Sequence, residues 1–293
     1  MQVLVSGASG FIGRRLVQTL AAEHDVYGLV RRPSRAAHTI QQDLSMGLDE
    51  TRLPERIDAV VHLAQSHHYR EFPDRAHDIY AVNVESTFRL LEYARKAKAR
   101  RFVLASSGGI YGYAQQALTE SAPLHPPDFY LASKQLAEIL LFSYELFYSV
   151  VAVRPFFVYG EGQRPAMFVP RLVRNVWHGQ PITLSSPEGL KVNPIHVSDA
   201  VLAFAAALTA GYSGPVNVAG PDVLTLGEIV RVIASKLGRD PVIERLSDAS
   251  GNVYADISLM SRILGPPSMP FSRGVVEVCQ EVAAEVPVQG RRE

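Results

Sequence analysis

The sequence predicts a doubly wound α/β fold, a parallel sheet covered by helices on both faces, with a smaller α+β substrate lobe. Three observations carry this expectation. Short apolar, β-branched runs alternate with longer amphipathic segments over the first half of the chain, the pattern of βαβ units. Runs such as DAVVHL are apolar without alternation, as in strands buried on both faces. A glycine-rich turn separates the first apolar run from the first helical pattern, a place where open α/β sheets hold ligands.

Taken in chain order, strands are expected at Val3–Ser6, Val26–Val30, Ala59–Leu63, Phe102–Ala105 and Val151–Arg154, with a later one at Val216–Val218. Helices are expected over Phe11–Ala22, around Val84, Phe88, Leu91 and Ala94, from Phe129 to Tyr148, and over Asp199–Thr209 and Leu226–Leu237. Between Pro155 and Pro194 proline, glycine and loops dominate. The expected division is therefore residues 1–155 plus about 195–220 for the sheet domain, and about 156–194 plus 221–293 for the second lobe. A polar tail is expected after Glu285.

Composition narrows the function. The 293 residues are 47% hydrophobic and 20% charged, an ordinary globular balance. Lys+Arg and Asp+Glu number 29 each, so no cationic excess exists to bind nucleic acid or an anionic membrane. The longest apolar run, Ala200–Leu208, is far short of the roughly 20 residues of a membrane helix. The opening MQVLVSGASG does not read as a secretory leader. The lone Cys279 precludes an internal disulfide and fits a reducing compartment, so a cytoplasmic protein with a small-molecule substrate is expected.

The opening VLVSGASGFIG places Gly7 in a tight turn, Gly10 where a backbone can approach a pyrophosphate, and Gly13 where the helix packs on the sheet. The helix N-terminus then offers N–H groups to phosphates, with Ser9, Phe11 and Ile12 in the same turn. This predicts a dinucleotide cofactor. The second strand, DVYGLV, runs into Arg31 and Arg32 rather than an acidic residue. An arginine there pairs with the 2′-phosphate of NADP, so NADP is expected over NAD. Asp43, with Leu44 beside it, reads either as a contact to the adenine edge or as a turn residue.

Tyr130 and Lys134 are four residues apart in YLASK, on one face of the expected helix. An ammonium near a phenol favours the phenolate, making Tyr130 a usable acid/base. Ser106 and Ser107 follow the strand RFVLA, ahead of a glycine pair.

With these pieces in order, the sequence resembles the extended short-chain dehydrogenase/reductases, the NAD-dependent epimerase/dehydratase family. GASGFIG, DAVVHLAQ, NVESTFRLLEYA, SSGGIYG, YLASK, VRPFFVYGEGQ and NPIHVSDA carry the resemblance over about residues 1–220. It implies a Rossmann-type fold with Tyr130 as acid/base. Lys134 would hold the nicotinamide ribose and lower the Tyr130 pKa. Ser107 would bind the reacting oxygen, with Ser106 as the alternative. The resemblance implies that Leu63 and Ala64 line the cofactor site and that Asn83 orients active-site backbone and water, although Asn83 also reads as a helix cap. Pro155 and Val158 would meet the nicotinamide. It further implies a homodimer built on the helices after Asn83 and Tyr130. The helix from Tyr130 is apolar on two stripes, Ala137, Leu141 and Tyr148 on one and Leu136, Ile139 and Phe147 on the other; one would cover the sheet and the other face the partner, unless the second lobe covers it.

Three departures bear on the chemistry. Dehydratases of this family carry Asp-Glu after the catalytic Ser/Thr, where this chain has Gly108-Gly109. Glycine transfers no proton, so a 4,6-dehydratase is not expected. Sugar-nucleotide members have Asn in RPFNVYG where Phe157 stands, and Arg-Asp-Phe where Val192-Asn193-Pro194 stands. The expected activity is hydride transfer at a hydroxyl or keto carbon of a sugar-type substrate, as an epimerase or a reductase. The competing reading is a non-catalytic NADP-binding sensor or scaffold. Ser106, Gly108, Phe157 and His67 are the candidate substrate contacts. His62, His67 and His68 lack the spacing of a metal site, and none is expected. Ser198 or Asp199 is expected to cap the helix after His196. Arg171, Arg174, Trp177 and His178 read as substrate-entrance residues or as helix surface.

Overall fold

The computed structural model describes residues 1–32, 38–246 and 251–285; the expected tail after Glu285 and part of the turn after Arg32 lie outside them. The strands are β1 Gln2–Ser6, β2 Asp25–Val30, β3 Thr39–Gln41, β4 Ala59–His62, β5 Arg101–Ala105, β6 Ser149–Pro155, β7 Ile182–Leu184, β8 Lys191–Val192, β9 Gly214–Val218, β10 Leu224–Thr225 and β11 Ile243–Arg245. The helices are α1 Gly13–Leu20, α2 Ala76–Tyr80, α3 Ser86–Lys96, α4 Phe129–Phe142, α5 Phe168–His178, α6 Val197–Ala207, α7 Leu226–Leu237, α8 Ser258–Ile263 and α9 Phe271–Ala284. Among the described residues no helix is long and apolar enough to cross a membrane.

Seven strands form one sheet in the order β3-β2-β1-β4-β5-β6-β9, and every pairing in it is parallel. The chain winds outward from β1 in one direction, then returns to β4 on its other side. That reversal opens a crevice at the carboxyl ends of β1 and β4, the position where such sheets bind ligands. The six strands expected from sequence all lie in this sheet, each within a residue or two of its observed bounds.

Both sheet faces are buried. Val3, Val5, Val61, Val103 and Val153 pack beneath α1 and α6 with Leu16 and Phe204. Leu4, Val60, Phe102, Leu104 and Ala152 pack beneath α3 and α4 with Leu90, Leu91, Ala137 and Leu141. This two-sided burial is why the strands lack alternation. A separate core joins α5, α7 and α9 through Val173, Val176, Ile229, Ile233, Val275 and Val278.

Several elements depart from the expectation. Helix α4 ends at Phe142, not at Tyr148. Ser143 Oγ donates back to the Ile139 carbonyl at 2.9 Å, competing with the helical ladder. Tyr148 is buried all the same, its hydroxyl donating to Leu91 O. Helix α5 stands where loops were expected. Its Pro170 falls in the first turn, where a missing N–H costs nothing. Helix α9 was not expected, its pattern interrupted by Gly274. A Cβ there would stand 2.6 Å from Tyr159 Oη, so the glycine permits close helix packing.

The last helix also holds a loop in place. Glu277 and Glu281 accept from the N–H groups of Glu161 and Gly162, each at 2.9 Å. The Glu161 carbonyl in turn accepts from Arg15 of α1 at 2.7 Å.

A buried ion pair docks α4 on the sheet. Arg154, in β6, donates to both carboxylate oxygens of Glu138 at 2.9 and 2.6 Å, with side chains only 4% and 3% exposed. Arg154 also donates to the Tyr111 hydroxyl at 2.5 Å and the Glu120 carbonyl at 3.2 Å. Removing one partner strands a buried charge. Arg154→Met is expected to cost about 3–5 kcal/mol, read as a lower urea midpoint with an unchanged slope. A loss of only about 1 kcal/mol would mean that the pair behaves as an exposed one.

His62 ends β4 between two hydroxyl groups, Ser6 Oγ at 2.5 Å from Nδ1 and Thr87 Oγ1 at 3.1 Å from Nε2. Burial, with the Lys134 cation second, pushes its pKa down to about 3. The unfolded chain takes up a proton below its ordinary value near 6.5, while the folded imidazole stays neutral until about pH 3. Stability therefore falls as pH drops from about 6.5 toward 3. His62→Gln should flatten that loss by a few kcal/mol, on the order of 1.4 per pH unit, in urea melts at pH 7 and 4.5. Parallel curves would remove His62 from the acid response.

Candidate active site

The crevice at the sheet reversal is a cleft of about 1350 Å³. Its floor is the turn after β1. Gly7 has φ +69°, and a Cβ on it would lie 2.8 Å from Ala64 N in the turn after β4. A Cβ on Gly13 would lie 2.1 Å from the Gly7 carbonyl. Only glycine closes this turn. Helix α1 becomes regular at Gly13 rather than at Phe11, and among the described residues no acceptor meets the Phe11 or Ile12 N–H. Those amides and the helix dipole form a cradle that fits a pyrophosphate. Gly7, Ser9, Gly10, Phe11, Ile12, Gly13, Arg31, Asp43, Leu44, Leu63 and Ala64 all line the cleft.

Four of the expected site residues do not line the cleft. Arg32 does not line the cleft; Arg31 does. Asn83 neither lines the cleft nor caps a helix. It sits in a wide helical turn over Ala81–Glu85, where it accepts from Ser66 N at 2.9 Å and donates to Ser133 Oγ at 2.8 Å. It thus ties the turn after β4 to α4. Gly108 is absent from the wall because its Cα faces Phe156, whose ring a Cβ would meet at 2.4 Å. Lys134 lies behind the wall, and its Nζ donates to the Ala105 carbonyl at 2.9 Å.

Outside the cleft, Ser198 and Asp199 do not cap α6. His196 does, its ring accepting from Ser198 N, while Asp199 accepts from Ser268 N, Ser268 Oγ and Met269 N. Of the residues read as entrance or surface, Arg171 lines the cleft. Arg174 pairs with Glu285, and Trp177 lies under Arg239 at 4.1 Å.

Tyr130 opens α4, which Asp128 caps by accepting from Leu131 N at 2.8 Å. Its phenol faces the cleft and donates to Gln65 Oε1 at 2.9 Å. Lys134 Nζ is 5.9 Å from the phenol ring centroid. Burial pushes the Tyr130 phenol up from its ordinary value, with Tyr69 and Asp128 adding to the rise. The expected lowering by Lys134 is therefore not what this geometry produces. Burial pushes the ammonium itself down to about 8.

Ser107 Oγ accepts from Gly109 N at 3.1 Å, which leaves its proton to donate into the cleft. Ser106 Oγ is buried and lacks a partner among the described residues. Both serines line the cleft, as do Pro155, Phe157, Val158 and His67. Phe157 has φ +45° and packs on Phe168. Asp43 accepts from Ser45 N and Oγ, so the turn reading holds while the residue still borders the cleft.

Sequence reasoning missed Gln65, Tyr69, Arg70 and Arg164, all on the wall. Arg31, Arg70, Arg164 and Arg171 form no ion pair among the described residues. The cleft carboxylates are occupied: Asp43 by Ser45, Asp78 by Ser66 and Asp128 by Leu131. Four arginines and three aspartates thus line the cleft, and the arginines are free of carboxylate partners among the described residues.

Comparison with known proteins agrees with this geometry. The chain is 28% identical over 291 residues to a Bacillus subtilis (strain 168) protein described as an uncharacterized UDP-glucose epimerase, YtcB, covering 90% of this chain and 92% of that one. It is 29% identical over 303 residues to the dTDP-glucose 4,6-dehydratase of Streptomyces griseus, covering 93% and 91%. Among solved structures, MoeE5 in complex with UDP-glucuronic acid and NAD superposes with a TM-score of 0.83 at 29% identity, covering 98% of this chain and all of the other. Residues 3–219 match the family model described as NAD dependent epimerase/dehydratase family. The chain belongs to that family, and is an NAD-dependent epimerase/dehydratase-type enzyme of the extended short-chain dehydrogenase/reductase class.

Proposed function

We propose that the protein is an epimerase acting at a carbinol carbon of a nucleotide-linked sugar, and that it does not perform 4,6-dehydration. The observation that carries this reading is the placement of Tyr130 and Ser107 on one cleft wall together with the glycine cradle. No carboxylate follows Ser107. A side chain at Gly108 would strike Phe156, and one at Gly109 would meet Leu131 at 2.9 Å, so the position has no room for an eliminating acid/base pair. The unpaired Arg70, Arg164 and Arg171 suit an anionic substrate such as a sugar diphosphate.

The cradle from Gly7 to Gly13 would hold the cofactor pyrophosphate, with Arg31, Asp43 and Leu44 toward its adenosine half and Pro155 and Val158 toward its nicotinamide half. The cofactor supplies a reversible hydride acceptor. Tyr130 then takes the proton from the substrate hydroxyl and returns it, and Ser107 donates a hydrogen bond to the same oxygen. Lys134 places a positive charge behind the phenol. Arg31 directly after β2, with no acidic residue at that strand's carboxyl end, supports NADP over NAD, whereas MoeE5 was solved with NAD. The division at residues 1–155 plus about 195–220 and about 156–194 plus 221–293 would give one unit to the cofactor and one to the substrate. The single buried Cys279 supports a cytoplasmic setting.

The test is turnover of UDP-glucose and UDP-glucuronic acid followed by proton NMR of the sugar, with cofactor titrations alongside. Tyr130→Phe should lower turnover by about 10²–10⁴-fold with cofactor affinity unchanged. Retained turnover would refute the assignment of Tyr130. Tighter binding of NAD than of NADP would remove the role given to Arg31.

Phe88 on α3 and Leu136 and Ile139 on α4 are 46%, 45% and 56% exposed, so the second lobe does not cover this face. This supports a homodimer through α3 and α4. Sedimentation velocity should give a dimer at micromolar concentration and a monomer for Ile139→Glu. A monomeric wild-type protein would exclude the dimer.

A further inference from the structure

We infer that Gln65 is a positioning residue for Tyr130, holding the phenol through both of its protonation states. The inference rests on the reading of Tyr130 as acid/base and adds a residue to it.

The phenol donates to Gln65 Oε1 at 2.9 Å. The ammonium of Lys134 donates to the Ala105 carbonyl, and among the described residues no hydrogen bond joins it to the phenol. The side chain that touches the reacting oxygen is thus an amide from the turn after β4.

That turn is held at several points. Ala64 N donates to Ser6 Oγ at 3.3 Å, and Ser66 N donates to Asn83 Oδ1 at 2.9 Å. Ser66 Oγ donates to Asp78 and accepts from His68 N. Asn83 Nδ2 donates to Ser133 on α4, and Ser133 Oγ donates to the Tyr130 carbonyl at 2.6 Å. The result is a closed circuit: Gln65 to Ser66 along the chain, then Asn83, Ser133, Tyr130 and back to Gln65. The circuit fixes the distance between amide and phenol independently of any ligand.

An amide is suited to this place because it carries an acceptor and a donor at one end. Oε1 accepts from the neutral phenol. A half-turn about the last torsion brings Nε2 to the phenolate as a donor. When the substrate O–H bond breaks and the phenol O–H bond forms, the proton moves from substrate to Tyr130, and Gln65 changes only its orientation. A carboxylate at this position could accept but never donate, and it would repel the phenolate.

The other titratable groups facing the phenol are Lys134 behind it on α4, Asp128 at the α4 cap, and Tyr69 with its ring 5.2 Å away. Arg70 lies over the far side of Tyr69. None of them hydrogen-bonds the phenol oxygen. The coupling can therefore be isolated at position 65.

The test needs no substrate. Position 130 is replaced by 3,5-difluorotyrosine, whose phenol is more acidic than that of tyrosine, and its ionisation is followed by fluorine NMR. The titration is made in the otherwise wild-type chain, in Gln65→Leu and in Gln65→Glu. Gln65→Glu should raise the midpoint by about one pH unit, and Gln65→Leu should raise it by less. Coincident midpoints in the three proteins, or a lower midpoint in Gln65→Glu, would overturn the inference. The turnover of Tyr130→Phe separates the two readings. A dead Tyr130→Phe with coincident midpoints removes Gln65 alone. An active Tyr130→Phe with shifted midpoints removes the catalytic meaning of the contact.

Discussion

The geometry of the cleft depends on the Arg154–Glu138 pair. A guanidinium and a carboxylate, both out of solvent, meet in two hydrogen bonds between β6 and α4. A desolvated pair of this kind contributes little net stability against an apolar replacement, but tolerates no misalignment. Helix α4 therefore has one seat on the sheet. Tyr130 and Lys134 stand on that helix about two turns and one turn before Glu138, so the seat decides where the phenol and the ammonium fall. The same arginine reaches Tyr111, whose hydroxyl donates to Asn217 on β9. One cation thus aligns α4, the segment after Ser107 and the returning strand.

The cleft electrostatics follow a different logic. Its aspartates are held by neutral donors, Ser45, Ser66 and Leu131 N, whereas Arg164 contacts a histidine and Arg70 a ring and a carbonyl rather than a carboxylate. Cations and anions therefore line the groove side by side without neutralising one another in direct pairs. Composition averages over the surface, so a net charge of zero carried no information about this groove.

What could be read from the chain followed periodicity and backbone necessity. The strands were legible because both sheet faces are buried, which leaves continuous apolar runs. The glycine turn was legible because Gly7 and Gly13 stand where a Cβ would strike backbone. Helices α5 and α9 were obscured by residues that ordinarily break helices: Pro170 escapes that rule through its first-turn position, and Gly274 through its contact with Tyr159. From local spacing Asn83 reads as a helix cap, and only the family resemblance offered an orienting role for it. Its task, bridging Ser66 and Ser133, involves partners 17 residues before it and 50 after it, and no local pattern encodes that. Gln65 was silent for the same reason. The sign of the Tyr130 shift was missed because i, i+4 spacing places a lysine near a tyrosine but does not say that the lysine is turned to a carbonyl.

The brace formed by α9 reaches the glycine turn from the opposite end of the described chain. Glu277 and Glu281 fasten residues 161 and 162, and the Glu161 carbonyl fastens Arg15 just behind the phosphate cradle. The first helix of the chain thus rests, through one intermediate loop, on the last described one. The floor of the cleft is thus coupled to a helix far away along the chain, and a change that loosens α9 would slacken the support behind the glycine turn without touching any residue of the turn itself.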